Sequence, residues 1–313
     1  MFPGRMAATN SRVDVLGVPV THPDKVLWPA EQITKLDLVR YYERIAPLIL
    51  RYVRHRPLTL RPFPHGVDRP GFYLKNAPKG APRWLQTFRD VAESTGEPVD
   101  FVVATDERTL VWIAQYNGVE VHAWLSRTDK PDYPDWAVVD LDPSDATPWE
   151  WVVRAAKAVG KQLEALALRG FPKLTGSTGI HVLVPLERVH RFDDVRAFFE
   201  ELARELCDEH RGILTLAYGT AERGTRVLID YAQNARGKTT VAPYSVRPRR
   251  GAPVAMPVAW DELDDPGLRS DRWTLTTAFD RLERVGDILE PALGLQQRLP
   301  MAPGTSASRP GGV

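Results

Sequence analysis

Apolar residues recur at Leu36, Val39, Ile45, Leu48 and Ile49, behind Thr34 and Asp37. That spacing lines one face of a helix, and a threonine followed three residues later by a carboxylate caps it, so a helix is predicted over about 35–53. Helical patterns also run through WEWVVRAAKAVGKQLEALAL, stopped by Gly170, through 193–210, and near 275–289. Shorter runs rich in β-branched and aromatic residues predict strands: TLVWIAQ (109–115), VEVHAWL (119–125), WAVVDLD (136–142), IHVLVPL (180–186) and RVLIDYA (226–232). Strands and helices interleave without the regular βαβ spacing of a doubly wound sheet. There is no internal repeat, and no GxGxxG or GxxxxGK marks a dinucleotide or Walker site.

Composition narrows the class. With 313 residues, 43% of them hydrophobic, the chain can fill a sizeable core. No run of about 18 apolar residues offers a membrane span and the first residues lack a signal-peptide core, so a cytoplasmic protein with no membrane partner is expected. The single cysteine, Cys207, excludes an internal disulfide and a Cys-rich zinc site, and its helical surroundings point to a packing position. MAPGTSASRPGGV, at 301–313, reads as a disordered tail, and residues 1–12 as a flexible N-terminus.

The formal net charge is only +1, but it is unevenly spread. Residues 23–80 carry eleven Lys or Arg against five acids, and residues 221–250 carry seven against two. Two basic blocks in a nearly neutral chain suit a local polyanion site, although solvated faces also produce such runs.

The candidate chemistry begins at DWAVVDLDPSD. Residues i and i+2 of a strand share a face, so Asp140 and Asp142 stand side by side. Two carboxylates there repel unless a cation sits between them, and hard oxygen ligands favour Mg²⁺ or Mn²⁺. A two-metal centre needs a further carboxylate, and Asp230, ending the apolar run RVLID, is the natural one. A D-x-D pair also serves as a turn or cap, and it occurs in nucleotide-sugar transferases that use Mn²⁺. KLTGSTGIHVLVPL adds context: Gly176 and Gly179 permit a tight turn whose N–H groups can face an anion, Thr175, Ser177 and Thr178 add hydroxyls, and His181 opens the next strand. That suits a triphosphate, as it also suits a plain hairpin. His122 alternates with apolar residues, as a core histidine or a ligand contact would. Arg247 follows Asp230 closely enough to reach the same site from a partner strand.

Together these residues resemble the primase-polymerase domain of the bacterial DNA ligase D proteins, within the archaeo-eukaryotic primase superfamily. The resemblance runs from about Val15 to Leu263 and rests on seven ordered blocks: DKVLWP (24–29), FYLKNAP (72–78), VEVHAWLSR (119–127), VVDLDPS (138–144), TGSTGIHV (175–182), LIDYAQN (228–234) and APYSVRP (242–248). It implies an α+β fold with a central, mostly antiparallel sheet flanked by helices. One catalytic domain over 13–300 is expected, with a DNA-binding subregion within 13–105, in a stand-alone member of the kind found in actinobacteria.

By the resemblance, Asp140, Asp142 and Asp230 match the catalytic metal triad, holding two Mn²⁺ or Mg²⁺ ions. His122, Thr175, Ser177, Thr178, His181, Lys238 and Arg247 are expected around the nucleotide triphosphate, ribonucleotides being preferred. Lys25 and Lys35 match lysines that hold the 5′-phosphate of a downstream strand. Arg61, Phe72, Tyr73, Lys75 and Arg223 are expected at the template and primer. Implied partners are gapped or broken duplex DNA, NTP or dNTP, a DNA ligase and an end-binding repair protein. Three positions depart from the family pattern. Thr175 and Thr178 stand where relatives commonly have serine and lysine in the phosphate turn, the loss of the lysine removing a point charge, and His22 stands where many have asparagine. The expected activity is templated filling of short gaps in DNA repair; a non-catalytic gap binder is the alternative.

Overall fold

A computed structural model describes residues 12–91 and 96–300. The tail at 301–313, and the expected flexible N-terminus apart from Arg12, lie outside the described residues. In chain order, β1 (Arg12–Val15), β2 (Val18–Thr21), β3 (Val26–Trp28) and β4 (Ile33–Thr34) lead into α1 (Lys35–Val53). There follow β5 (Pro57–Pro62), β6 (Thr87–Val91), β7 (Pro98–Val103), α2 (Glu107–Gln115) and β8 (Gly118–Trp124). The second half runs β9 (Trp136–Asp142), α3 (Trp149–Ala165), β10 (Phe171–Leu174), β11 (Ile180–Pro185), α4 (Phe192–Glu209), β12 (Leu214–Thr215), α5 (Thr220–Arg223), β13 (Val227–Asp230), β14 (Thr239–Val241) and α6 (Ala278–Val285).

The fold is α+β, with antiparallel sheets flanked by helices, as the resemblance implies. Among the described residues β1-β2 and β3-β4 form two-stranded sheets, and the other strands form two five-stranded sheets, ordered β10-β11-β9-β13-β12 and β14-β8-β5-β7-β6. Every pairing in them is antiparallel except β12 with β13. We call them the aspartate sheet and the arginine sheet, after the side chains that they bring to the site. α3 covers one face of the aspartate sheet. A side chain added at Gly170 would strike both Leu163 of α3 and Val182 of β11, so Val182 faces the helix. Its neighbour His181 therefore points the other way, toward the arginine sheet, along with its cross-strand partner Asp140.

Local sequence accounts for most element ends. Thr34 and Asp37 form the expected capping box on α1, the Thr34 Oγ1 accepting from Asp37 N at 3.2 Å and the Asp37 carboxylate from Thr34 N at 2.8 Å. α3 stops before Gly170, at Ala165, because the chain turns through Ala167 at φ 56°. α6 is shorter than the 275–289 pattern, since Gly286 at φ 68° ends it. The run RVLIDYA is strand only as far as Asp230, whose carboxylate accepts from Ala232 N at 3.1 Å and turns the chain into a short 3₁₀ segment.

One predicted element is wrong in kind. TLVWIAQ, expected as a strand, belongs to helix α2. Asp106 caps it, accepting from Thr109 N at 3.0 Å, and the helix packs on α1 with Leu110, Val111, Ile113 and Ala114 fully buried. A short apolar run buried on all sides has neither a period of 2 nor one of 3.6, so β-branched content misled the reading. Cys207 sits half-buried in α4 against the core, and burial pushes its thiol up to about 11.

Candidate functional site

The site is built on a row of cross-strand neighbours. Lys173 of β10 pairs with His181 of β11, His181 with Asp140 of β9, and Asp140 with Asp230 of β13. Residues in register across adjacent strands share a face, so these four side chains line up across the sheet. Asp142, two residues beyond Asp140, is on the same face opposite Leu228. The structure therefore brings the three aspartates together. Asn234 fixes the central strand beyond the end of β13: its side chain donates to Val138 O at 2.7 Å and accepts from Val138 N at 2.9 Å, filling the ladder position that the 3₁₀ turn vacates.

Each carboxylate already has a partner. The His181 Nε2 lies 3.4 Å from Asp140, and burial keeps that imidazole below its ordinary value and neutral. Arg223, at the end of α5, reaches Asp142 at 3.1 Å. Tyr218 and Gln233 donate to Asp230 at 2.8 and 2.9 Å. Burial, then the Asp140 charge, pushes the Asp142 carboxyl up, with Asp230 adding to the effect and Arg223 opposing it. Among the described residues no three His, Cys, Asp or Glu side chains are gathered as a ready ion-binding group. The donor set nevertheless fits a hard divalent cation, since three carboxylates share one face and the charge of Asp142 is opposed by its neighbours.

The arginine sheet contributes the cationic wall. In β8, Glu120 is fully buried and Arg61, His122 and Arg247 converge on it, at 2.9, 3.6 and 2.5 Å. Burial works against its charge, but His122, Arg247 and Arg61 outweigh it and hold the carboxyl down at about 2. Arg247 also donates to Thr175 O at 2.9 Å, tying this wall to the Gly turn. Glu120 went unnoticed in the sequence reading, although its i, i+2 relation to His122 is a signal that the two share a face. Lys173 was missed as well, because a lysine in FPKL looks like any surface charge. It is fully buried, its Nζ donates to Val241 O, and burial, followed by the charge of Arg247, lowers it to about 7.

The turn between β10 and β11 has the tight form its glycines suggest. Gly176 is at φ 67°, and a side chain at Gly179 would lie 2.2 Å from Leu141 O. The Thr175 hydroxyl is spent inside the turn, accepting from Ser177 N and Gly179 N, so it braces the loop and is no free donor at its surface. Ser177 and Thr178 lie toward the exposed tip. Lys238 is exposed just before β14, beyond the pairing of Thr239 with Trp124, and among the described residues no ion pair or side-chain hydrogen bond links it to the site.

A second concavity adjoins this one. Lys25 and Lys35 line a cleft of about 790 Å³ with His22, Phe72, Gln115 and Asn117. The Lys35 Nζ donates to Thr21 O at 2.8 Å and Lys25 to Pro64 O. Burial, then the neighbouring Lys25, holds the Lys35 ammonium down at about 8. Phe72 and Tyr73 diverge, as consecutive residues of an extended segment do. Phe72 lines the lysine cleft, whereas the Tyr73 ring meets His122 edge-on at 5.9 Å and takes the Arg61 guanidinium at 5.1 Å. Lys75 lies exposed two residues beyond Tyr73.

The basic blocks are not uniform patches. In the first, Arg40, Arg44, Arg51, Arg56 and Arg61 are all ion-paired, Arg56 in a buried fork to Asp135 at 2.6 and 2.8 Å.

Compared with known proteins, residues 34–289 match the family described as "LigD, primase-polymerase domain". The chain is 34% identical over 301 residues to the multifunctional non-homologous end joining protein LigD of Pseudomonas aeruginosa, covering 95% of this chain and 35% of that protein. It is 28% identical to the bifunctional LigD of Bacillus subtilis over 267 residues, covering 85% and 42%. It thus spans well under half the length of these relatives. The polymerase domain of Mycobacterium tuberculosis ligase D, solved in complex with DNA, superposes with a TM-score of 0.83 at 32% identity, covering 90% of this chain and 99% of that one.

Proposed function

The chain belongs to the LigD primase-polymerase domain family, whose members are nucleotidyltransferases that act as DNA polymerases, and from that premise we propose that it fills short gaps in DNA during end joining and repair, preferring ribonucleotides. The observation that carries the reading is the strand register that puts Asp140 and Asp230 side by side, Asp142 two residues along, and the cation-bearing wall of Arg61, His122 and Arg247 opposite them.

Asp140, Asp142 and Asp230 would hold two Mn²⁺ or Mg²⁺ ions, which supply activation of the primer 3′-hydroxyl and neutralisation of charge at the α-phosphate. Around them the chain's own groups bind and orient. Arg247 and the turn at 175–179 face the triphosphate, the Ser177 hydroxyl and backbone amides acting as donors. His122, neutral and wedged between Glu120 and Tyr73, offers a fixed polar edge to the nucleotide. Lys25 and Lys35 take the 5′-phosphate of the downstream strand, and Phe72 supports a displaced base by stacking, which reads no sequence. Arg223, near the primer end, exchanges its partner Asp142 for a phosphate. A DNA ligase and an end-binding protein are the expected partners.

The test is extension of a labelled primer across a one-nucleotide gap with a downstream 5′-phosphate, comparing Mn²⁺ with Mg²⁺ and ribo- with deoxynucleotides, with Asp142→Ala as the blank. Templated addition that the variant loses supports the reading. A second reading, a gap binder without catalysis, draws on the engagement of Asp142 by Arg223 and on the neutral tip of the turn. Tight gap binding, with no addition in either metal and no gain from added triphosphate, favours it. The nucleotide-sugar reading of D-x-D finds no support in a chain of this family.

A further inference from the structure

The turn at 175–179 can present its amides to an anion only if its two ends stay in place, and one distant residue grips both. Ser270 is buried, at 4% exposure, and its hydroxyl lies 2.9 Å from Gly179 O and 3.2 Å from the Thr175 hydroxyl. Proton counting sets the direction of these bonds. A carbonyl only accepts, so Gly179 O takes the Ser270 proton. The Thr175 Oγ1 already accepts from Ser177 N and Gly179 N, so its own proton goes to the Ser270 oxygen. Thr175 N also donates to Gly179 O, at 3.1 Å. The ends of the turn are thus joined to each other by the backbone and held jointly by one serine hydroxyl.

The segment that carries Ser270 is itself anchored on the hairpin that carries Arg247. Leu268 and Trp273, on either side of Ser270, are buried, and Gly267 N and Leu268 N both donate to Asp265, which closes the segment on itself. Beyond Ser270, Trp273 O accepts from Val254 N and Ala252 O accepts from Leu275 N, each at 2.8 Å. Val254 bridges Val246, its neighbour Pro253 accepts from Arg247 N at 2.7 Å, and the Arg247 guanidinium returns to Thr175 O at 2.9 Å. These contacts close a ring from the turn through Ser270, Trp273, Val254 and Arg247 back to the turn. Gly176 shows how tightly it is drawn: a Cβ there would lie 2.8 Å from the Arg247 Cγ and 2.9 Å from the Val254 carbonyl carbon. The spacing between turn and arginine is therefore set by the ring, and Ser270 is its link to the turn.

An alanine would fill nearly the same volume, so packing alone does not ask for a hydroxyl at this position. We propose that Ser270 is a positioning residue for the nucleotide triphosphate, its hydroxyl setting the turn at 175–179 against Arg247 so that the turn's amides and the guanidinium meet the phosphates together. The inference rests on the polymerase reading and deepens it. Ser270 acts through the turn, not by touching the reacting atoms.

The test measures KM for the incoming nucleotide and kcat in the gap-extension assay, binding of a fluorescent nucleoside triphosphate to the protein–DNA complex, and gap binding by anisotropy. Ser270→Ala should raise KM and weaken triphosphate binding by about three- to tenfold, the range of one lost hydrogen bond. kcat and gap binding should change by less than about twofold, because uniform nucleotide binding is what has been removed. Arg247→Ala should weaken triphosphate binding too, and in that background Ser270→Ala should add less than about twofold, since the spacing it sets has lost its other member. A folded Ser270→Ala protein with unchanged KM overturns the proposal. So does a raised KM accompanied by an equal loss of gap binding, the mark of general loosening. Full additivity with Arg247→Ala overturns it as well, because Ser270 would then act without regard to the arginine. If Ser270→Ala does not fold, Ser270→Cys, which keeps the bulk and weakens the donor, is judged by the same outcomes. Failure of the parent protein to extend any primer would be seen before a Ser270 variant is made, and it sinks the polymerase reading instead.

Discussion

Lys35 is buried beside Lys25 with its ammonium held down at about 8, so its charge is conditional. The folded value lies below the ordinary lysine value of 10.5, which makes the buried charge a cost to stability that is complete below about pH 8 and relieved as pH rises toward 10.5. Ligand binding runs the other way, because a 5′-phosphate needs the protonated form. Gapped duplex with a downstream 5′-phosphate should bind more tightly at pH 7 than at pH 9, and Lys35→Met should remove most of that difference, read by fluorescence anisotropy. Lys25→Glu should weaken binding only to duplexes that carry the phosphate. At Glu120, one buried carboxylate holds Arg61, His122 and Arg247. Glu120→Gln leaves cations without their counter-charge and should destabilise the fold by about 3 kcal/mol, measured by urea unfolding. The pair Asp140 and Asp142 was legible because its motif is local, whereas Lys25 and Lys35 entered only through the family resemblance. Glu120 and Lys173 were not legible, since what distinguishes them is burial.

The turn at 175–179 is the element on which the site closes. Gly179 is demanded by a neighbour and not by its own φ: any side chain there meets Leu141 O of the aspartate-bearing strand. Gly179→Ala should force β11 away from β9, lowering stability by about 1–3 kcal/mol in thermal or urea unfolding. It should also lower gap-extension activity more than the stability loss explains, because β11 carries His181 in register with Asp140. Elements with a clear period and a clear cap were legible. α1 spans the expected residues, and β9 runs from Trp136 to Asp142 as read. α2 was not, because its apolar residues are enclosed on every side by α1 and the strands around it.

At the scale of the whole molecule, two sheets face each other across the site and one extended segment links the two concavities. Phe72 lines the lysine cleft and Tyr73 packs by His122 and Arg61, so the adjacent aromatics should separate by phenotype. Phe72→Ala should weaken gap binding by about tenfold, the size of one lost base stack, with little change in nucleotide KM. Tyr73→Ala should raise nucleotide KM and leave gap binding nearly intact, the two being measured by anisotropy and steady-state extension. Equal effects on both would mean that the concavities act as one. The sequence by itself determined the capped helix α1 and the aspartate pair on one strand face, because periodicity and i, i+2 geometry are local properties of the chain, while the α+β class came through the resemblance of its ordered motifs to a known family. The tertiary structure alone decided that Asp230 stands opposite Asp140, that Arg61 and Arg247 share one carboxylate, and that Lys173 is buried. Those relations join residues from separate strands, and they follow from how the sheets pair and pack, which no local pattern encodes.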